Sequence, residues 1–183
     1  MKKVTILIIL TLFTSVNIIA QEINWMTLEE AVALQKENPK KIIMDAYTNW
    51  CGPCKILDSK TFHNPDVVKY VNENYYAVKF NAEGNSEINF KNKVYKNPGY
   101  KAELANRRNS PHEFSIYLGI RAYPTIVFMD EQGNLLAPIV GFKQPQELEL
   151  YLKLFKTDAY KTLTSQEAFD KYYASFKAEF KEI

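Results

Sequence analysis

The sequence predicts an α/β fold built on a mixed β-sheet. Three observations carry this. Helix signals and β-rich runs alternate along the chain, in the order α, β, two helices, β, an insertion, α, two β, α and one extra helix. The last two β-rich runs are joined by Asp130-Glu131-Gln132-Gly133-Asn134, a hairpin signal of the longer-loop kind, so at least one strand pair is antiparallel. The composition supplies a core. Of 183 residues, 46% are apolar and 24% charged, and 12 Tyr and 11 Phe dominate the aromatic fraction, which excludes a mainly disordered chain, a collagen-like fibre and a multi-span membrane protein. The length suits one domain with a small appendage.

The elements follow in order. Thr27-Leu28-Glu29-Glu30 is a capping box opening a helix that Asn38-Pro39 ends. Lys41 to Tyr47 is a β-rich run bounded by polar residues, hence a buried strand. Cys51 to Thr61 reads as helical. Asn64-Pro65-Asp66 restarts a helix, with Asn64 as cap and Pro65 at the first position. Tyr75 to Asn81 is a second strand. Residues 83–110, rich in Asn, Lys and Glu, read as an irregular insertion with one short helix around Lys101 to Arg108. It is either a solvated surface excursion or a partner-recognition loop. Ser110-Pro111 caps a helix through Tyr117. Thr125 to Met129 and Leu135 to Val140 are strands, and Pro138 places the latter at a sheet edge. Gln144-Pro145 opens a helix with Leu148, Tyr151, Leu152 and Phe155 on one face. Thr164-Ser165-Gln166-Glu167, a further capping box, starts a C-terminal helix carrying Phe169, Tyr172, Tyr173, Phe176 and Phe180. This stripe either packs on the core or forms a dimer or partner face.

The first twenty residues read as an address. Lys2 and Lys3 precede the apolar run Val4 to Phe13, a more polar stretch follows, and Ala20 stands before Gln21. That is the pattern of a secretory signal peptide, and its apolar part is short for a spanning helix. We expect cleavage and export to a compartment such as the periplasm, the alternative being an uncleaved membrane anchor. No cysteine follows the signal, so no lipid anchor is expected. Without Lys2 and Lys3, 21 basic residues balance 21 acidic ones, which removes the electrostatic case for nucleic acid. With 6 Gly, and neither GxGxxG nor GxxxxGK[ST], a phosphate-cradling loop is not expected.

Cys51 and Cys54 are the only cysteines. A bridge across two residues closes a tiny loop and gains little chain entropy, so chemistry explains the pair better than stability. The run Trp50-Cys51-Gly52-Pro53-Cys54-Lys55 sits between a strand and a helix. At a helix N-terminus, unpaired N–H groups favour a thiolate, the species that attacks disulfides. Cys51 is therefore the expected nucleophile. Cys54, about one turn on, is the residue that resolves the mixed disulfide. Pro53 stiffens the turn.

Residues 43–55, ending in Trp50-Cys51-Gly52-Pro53-Cys54-Lys55, resemble the active-site segment of the thioredoxin family. Ile120-Arg121-Ala122-Tyr123-Pro124-Thr125 is similar to that family's cis-proline loop, and Gly141 to the glycine bordering its substrate groove. The resemblance covers roughly residues 25–156. Within it, residues 60–80 are closer to exported thioredoxin-like proteins related to the C-terminal domain of the thiol:disulfide interchange protein DsbD. It implies a thioredoxin-like fold, with 21–156 as the domain and 157–183 as a helical extension. It also implies that Asp45 is a buried carboxylate accepting a proton as Cys54 attacks, with Lys79 facing it, and that Trp50 shields the sulfurs. Gly52, Pro53, Tyr123, a cis Pro124, Thr125 and Gly141 would line the substrate site. The insertion, Tyr123 where thioredoxin commonly has Ile, and the extra helix depart from the family pattern.

The implied activity is reduction of disulfides in substrate proteins without a cofactor, with electrons from a membrane donor of the DsbD type. The rivals are a disulfide oxidase or isomerase, and a binding module with an inert disulfide. A zinc site from both cysteines with His63 and His112 lacks ligand-like spacing, and both histidines are expected at the surface. The oligomeric state stays open.

Overall fold

A computed structural model describes residues 22–182; the expected signal segment lies outside them. The chain forms β1 (Trp25–Met26), α1 (Leu28–Glu37), β2 (Lys41–Tyr47), α2 (Gly52–Leu57), α3 (Pro65–Asn74), β3 (Tyr75–Asn81), β4 (Ile88–Phe90) and β5 (Lys93–Tyr95). These are followed by α4 (Glu113–Tyr117), β6 (Thr125–Met129), β7 (Leu135–Val140), α5 (Pro145–Lys156) and α6 (Gln166–Ser175). A π turn, Asp58–Phe62, extends α2. No helix among the described residues is long and apolar enough to cross a membrane.

The central sheet runs β1-β3-β2-β6-β7. β1, β3 and β2 are parallel, whereas β6 and β7 are antiparallel, so the sheet is mixed. The α2–α3 crossover joins the parallel pair β2 and β3, and the 130–134 turn joins β6 to β7. Side-chain alternation divides the core in two. Ile42, Met44 and Ala46 of β2 face α1, α4 and the insertion. Ile43 faces α3 and α5, and Asp45 shares its side of the strand. The register sets Asp45 beside Lys79 of β3.

The caps at Thr27 and Asn64 stand where the residues placed them. Strands 41–47, 75–81, 125–129 and 135–140 have the expected bounds, and β7 with Pro138 is a sheet edge. Trp25–Met26 adds a strand too short to be legible.

The insertion differs from its expectation. Its first half is not an irregular solvated excursion: β4 and β5 pair as a hairpin, and Ile88, Phe90 and Tyr95 are buried against α4, whereas residues 96–110 are largely irregular and exposed, as expected. Phe114 of α4 packs edge-on against Phe80, Phe90 and Tyr95. Burying rings of this size is the main gain holding the excursion down. The helix expected at 101–108 is only a 3₁₀ turn, Ala102–Leu104. α4 is capped by His112 rather than Ser110-Pro111, through a hydrogen bond from the Phe114 N–H to Nδ1.

The C-terminal stripe also differs. Ser165 is the cap, and the helix ends at Ser175. Phe176 and Phe180 lie on an extended tail. Phe169, Tyr172 and Phe180 pack on the α3–α5 side of the core, while Tyr173 is half exposed. The tail is pinned by the fully buried Glu149, which accepts the Glu179 and Phe180 N–H groups and meets Lys153 at 2.6 Å.

Candidate functional site

β2 runs through Asp45 to Tyr47 and hands the chain to Trp50 and Cys51. Cys51 is the cap of α2, its sulfur accepting the Cys54 N–H at 3.1 Å. Pro53 sits in the first turn, where its missing N–H costs nothing. Cys51 and Cys54 form a disulfide. Both are buried, at 2% and 5% exposure. Gly52 and Pro53 are exposed.

Asp45 is 2% exposed, and its Oδ1 has no hydrogen-bond partner. Burial pushes its carboxyl up to about 7. The Lys79 ammonium, 4.0 Å from Oδ2, opposes this only in part. Lys79 makes its closer contact with Asp58, and that second negative charge pushes Asp45 further up. Lys79 also lies 5.0 Å from the Trp25 ring and 5.8 Å from that of Tyr47. Sequence reasoning missed Asp58; four residues after Cys54, its place one helical turn on was the available signal. An open cavity of about 570 Å³ joins Cys54, Lys55, Asp58 and Lys79 to Asn106 of the insertion.

On the other flank, the Tyr123–Pro124 peptide is cis. Thr125 Oγ1 donates to the Ala122 carbonyl, and the Gly141 N–H donates to the Pro124 carbonyl at 2.8 Å. Gly141 has φ +89°, a conformation that favours glycine. Tyr123 meets Trp50 edge-on at 6.1 Å. Burial and the neighbouring Glu83 push the Tyr123 hydroxyl up to about 12.

Glu83 is the other residue the sequence did not reveal. Its carboxylate accepts the Trp50 indole N–H at 2.7 Å and the Asn109 backbone N–H at 2.8 Å. Asn97 donates to the Gly84 and Ser110 carbonyls, closing the base of the insertion. Asn49 donates to the Ala105 carbonyl. The insertion is thus tied to the residues preceding Cys51.

The two histidines do not come together with the cysteines as a ligand set. His63 is exposed, with Nδ1 at the Asp58 carbonyl. His112, expected at the surface, is fully buried, because its two nitrogens serve the Phe114 N–H and the Ser86 carbonyl. Burial lowers its pKa, opposed in part by the Ser86 carbonyl.

Comparison with known proteins agrees with this architecture. The chain is 30% identical over 119 residues to the thiol:disulfide interchange protein DsbD of Vibrio vulnificus, covering 64% of this chain and 16% of that protein. It therefore spans about a sixth of the length of that relative. It is 29% identical over 114 residues to a thioredoxin of Mycoplasmoides gallisepticum, covering 62% of this chain and 83% of that one. Among solved structures, a thioredoxin-fold protein from Helicobacter pylori superposes with a TM-score of 0.57 at 17% identity, covering 75% of this chain and 82% of that one. The thioredoxin-like domain family matches residues 28–156, which hold the disulfide, the buried carboxylate and the cis-proline loop, and the chain belongs to that family.

Proposed function

We propose that this chain is an exported thiol–disulfide oxidoreductase that reduces disulfides in substrate proteins. The observation that carries the reading is Asp45: a buried carboxyl with acidity near neutrality, on the strand that leads into a cysteine pair. In the reduced protein the Cys51 thiolate attacks one sulfur of a substrate disulfide, and the other sulfur leaves as a thiolate that takes up a proton. Cys54 then gives its proton to Asp45 and attacks Cys51. The second substrate sulfur leaves as a thiolate and takes up a proton, so the substrate departs as a dithiol and the Cys51–Cys54 disulfide is left behind. Lys79 and Asp58 set the charge around Asp45.

Trp50, Gly52, Pro53, Tyr123, Pro124, Thr125 and Gly141 form the surface that receives an extended substrate segment. The edge-on Trp50–Tyr123 pair and the Gly141–Pro124 bond support this. Residues 21–156 are the catalytic domain and 157–183 an extension. The signal-like pattern of residues 1–20 supports export, and in an oxidising compartment recharging the dithiol needs a membrane donor of the DsbD type.

The deciding experiment is equilibration of the Cys51–Cys54 couple in glutathione and dithiothreitol buffers. A potential near about −270 mV supports the reductase, whereas one above about −180 mV moves the assignment to an oxidase or isomerase. Cys54→Ser should accumulate mixed disulfides through Cys51. A chain that traps none is a binding module.

A further inference from the structure

We propose that Arg108 is a specificity-determining residue, which takes the carboxylate of an Asp or Glu side chain next to the target disulfide of a substrate protein. The inference rests on the reductase reading and names the substrate class of the same site. It starts from a cation with unspent donors. The Arg108 guanidinium lies 5.1 Å from the centre of the Trp50 ring, and Trp50 immediately precedes Cys51. Among the described residues Arg108 makes neither an ion pair nor a side-chain hydrogen bond, and it is exposed. A guanidinium resting on an indole keeps its edge N–H groups free, in the fork that matches a carboxylate.

The backbone on both sides of this arginine is held. The Ala105 carbonyl is bound by the Asn49 side chain, and the Asn109 N–H by Glu83. The same Glu83 carboxylate holds the Trp50 indole, so arginine and ring are fixed to one anchor. Arg108, Trp50 and Tyr123 then form a continuous strip from the insertion to the cis-proline loop. An extended substrate laid on that loop brings the neighbours of its cysteine past this strip.

The surrounding charge favours an acidic partner. Lys55, Arg107 and Arg121 are exposed and, among the described residues, unpaired. Three carboxylates stand in the same region, and Asp58, which shares a cavity with Lys55, is paired with Lys79. Glu103 is exposed on the insertion, and Glu83 is buried and already committed to two donors. Basic and acidic residues balance beyond Lys3, so the excess here is local.

The test uses the protein expressed from its full sequence, reduced and freed of reductant. Its second-order rates are measured on three disulfide peptides that differ only in the residue after one cysteine: Asp, Asn or Lys. The Asp peptide should react about fivefold faster than the Asn peptide at low ionic strength, the worth of one exposed ion pair. The preference should collapse in roughly 1 M salt, where the screening length is about 3 Å. Arg108→Gln should abolish it, and Arg108→Glu should invert it toward Lys. Each variant's rates are taken relative to its own Asn rate, so that any change in Cys51 reactivity common to the three peptides divides out, and its urea unfolding reports an intact fold. The proposal is overturned if the unaltered protein reads Asp and Asn alike, or if Arg108→Gln keeps the Asp preference. It is equally overturned if that variant slows only glutathione disulfide, whose carboxylates would then be the true ligand. If the unaltered protein reduces not even the Asn peptide, the reductase reading fails and this inference with it.

Discussion

The two faces of the central sheet are built from different chemistry. One is covered by α1, α4 and the β4–β5 hairpin, and its interior is mainly aliphatic and aromatic, centred on Phe114, with the buried His112 beside Phe80 and the hydrogen-bonded Glu83 carboxylate in the insertion. The other is covered by α2, α3, α5 and the C-terminal tail, and it carries buried carboxylates at Asp45 and Glu149. The insertion joins the first face as core. The tail joins the second largely through polar pins, Glu149 on two amides and Asp66 on the Lys181 N–H. On the first side the buried Glu83 carboxylate is held by two donors, whereas on the second side Asp45 keeps an oxygen without a partner, where the proposed chemistry needs a base.

This contrast can be broken or sharpened by substitution. The largest effect is expected on the apolar face. Phe114→Ala opens a cavity ringed by aromatic side chains that cannot all move in, and should cost about 5 kcal/mol in urea denaturation. Next comes Asp45. Its folded carboxyl sits near 7 against an ordinary 3.8, so the folded state holds a proton that the unfolded chain releases. The oxidised protein should lose stability as pH rises from about 4 to about 7 and level off above, a swing on the order of 4 kcal/mol. Asp45→Asn should flatten that profile and be the more stable protein at pH 8; an unchanged profile would remove Asp45 as the buried base.

Asn97→Ala strips the donor from two carbonyls at the base of the insertion and should cost about 2 kcal/mol, with faster proteolysis between residues 84 and 110. The smallest loss, about 1 kcal/mol, is expected for Phe180→Ala, whose ring is only partly buried against Tyr70. If Phe180→Ala matched Phe114→Ala, the tail would be core and the contrast would fall.

Legibility followed the range of the signals. The four long strands, the Thr27 and Asn64 caps and the cysteine pair rest on local chemistry, and all could be read from neighbouring residues. The β4–β5 hairpin could not. Its turn is Lys91-Asn92, both at positive φ, without the glycine that normally announces such a turn, and its strands are three residues long. The burial of His112 and the double role of Glu83 depend on partners 26 residues away, where no sequence spacing points. Asp45 and Lys79 came from resemblance; the place of Asp58 one turn after Cys54 was legible, but its contact with Lys79, which completes the charge arrangement, needed the geometry.

An open sheet ends in two raw rows of peptide groups, each a template on which another chain can zip. Here one row belongs to β1, only two residues long, and offers almost nothing to copy. The other belongs to β7, where Pro138 leaves a gap in the series of donors. A protein whose proposed work is to receive extended substrate segments thus offers them no unbroken strand to join at either edge of its sheet. Replacing Pro138 with a residue that carries an N–H would restore the missing donor and leave that edge open to pairing.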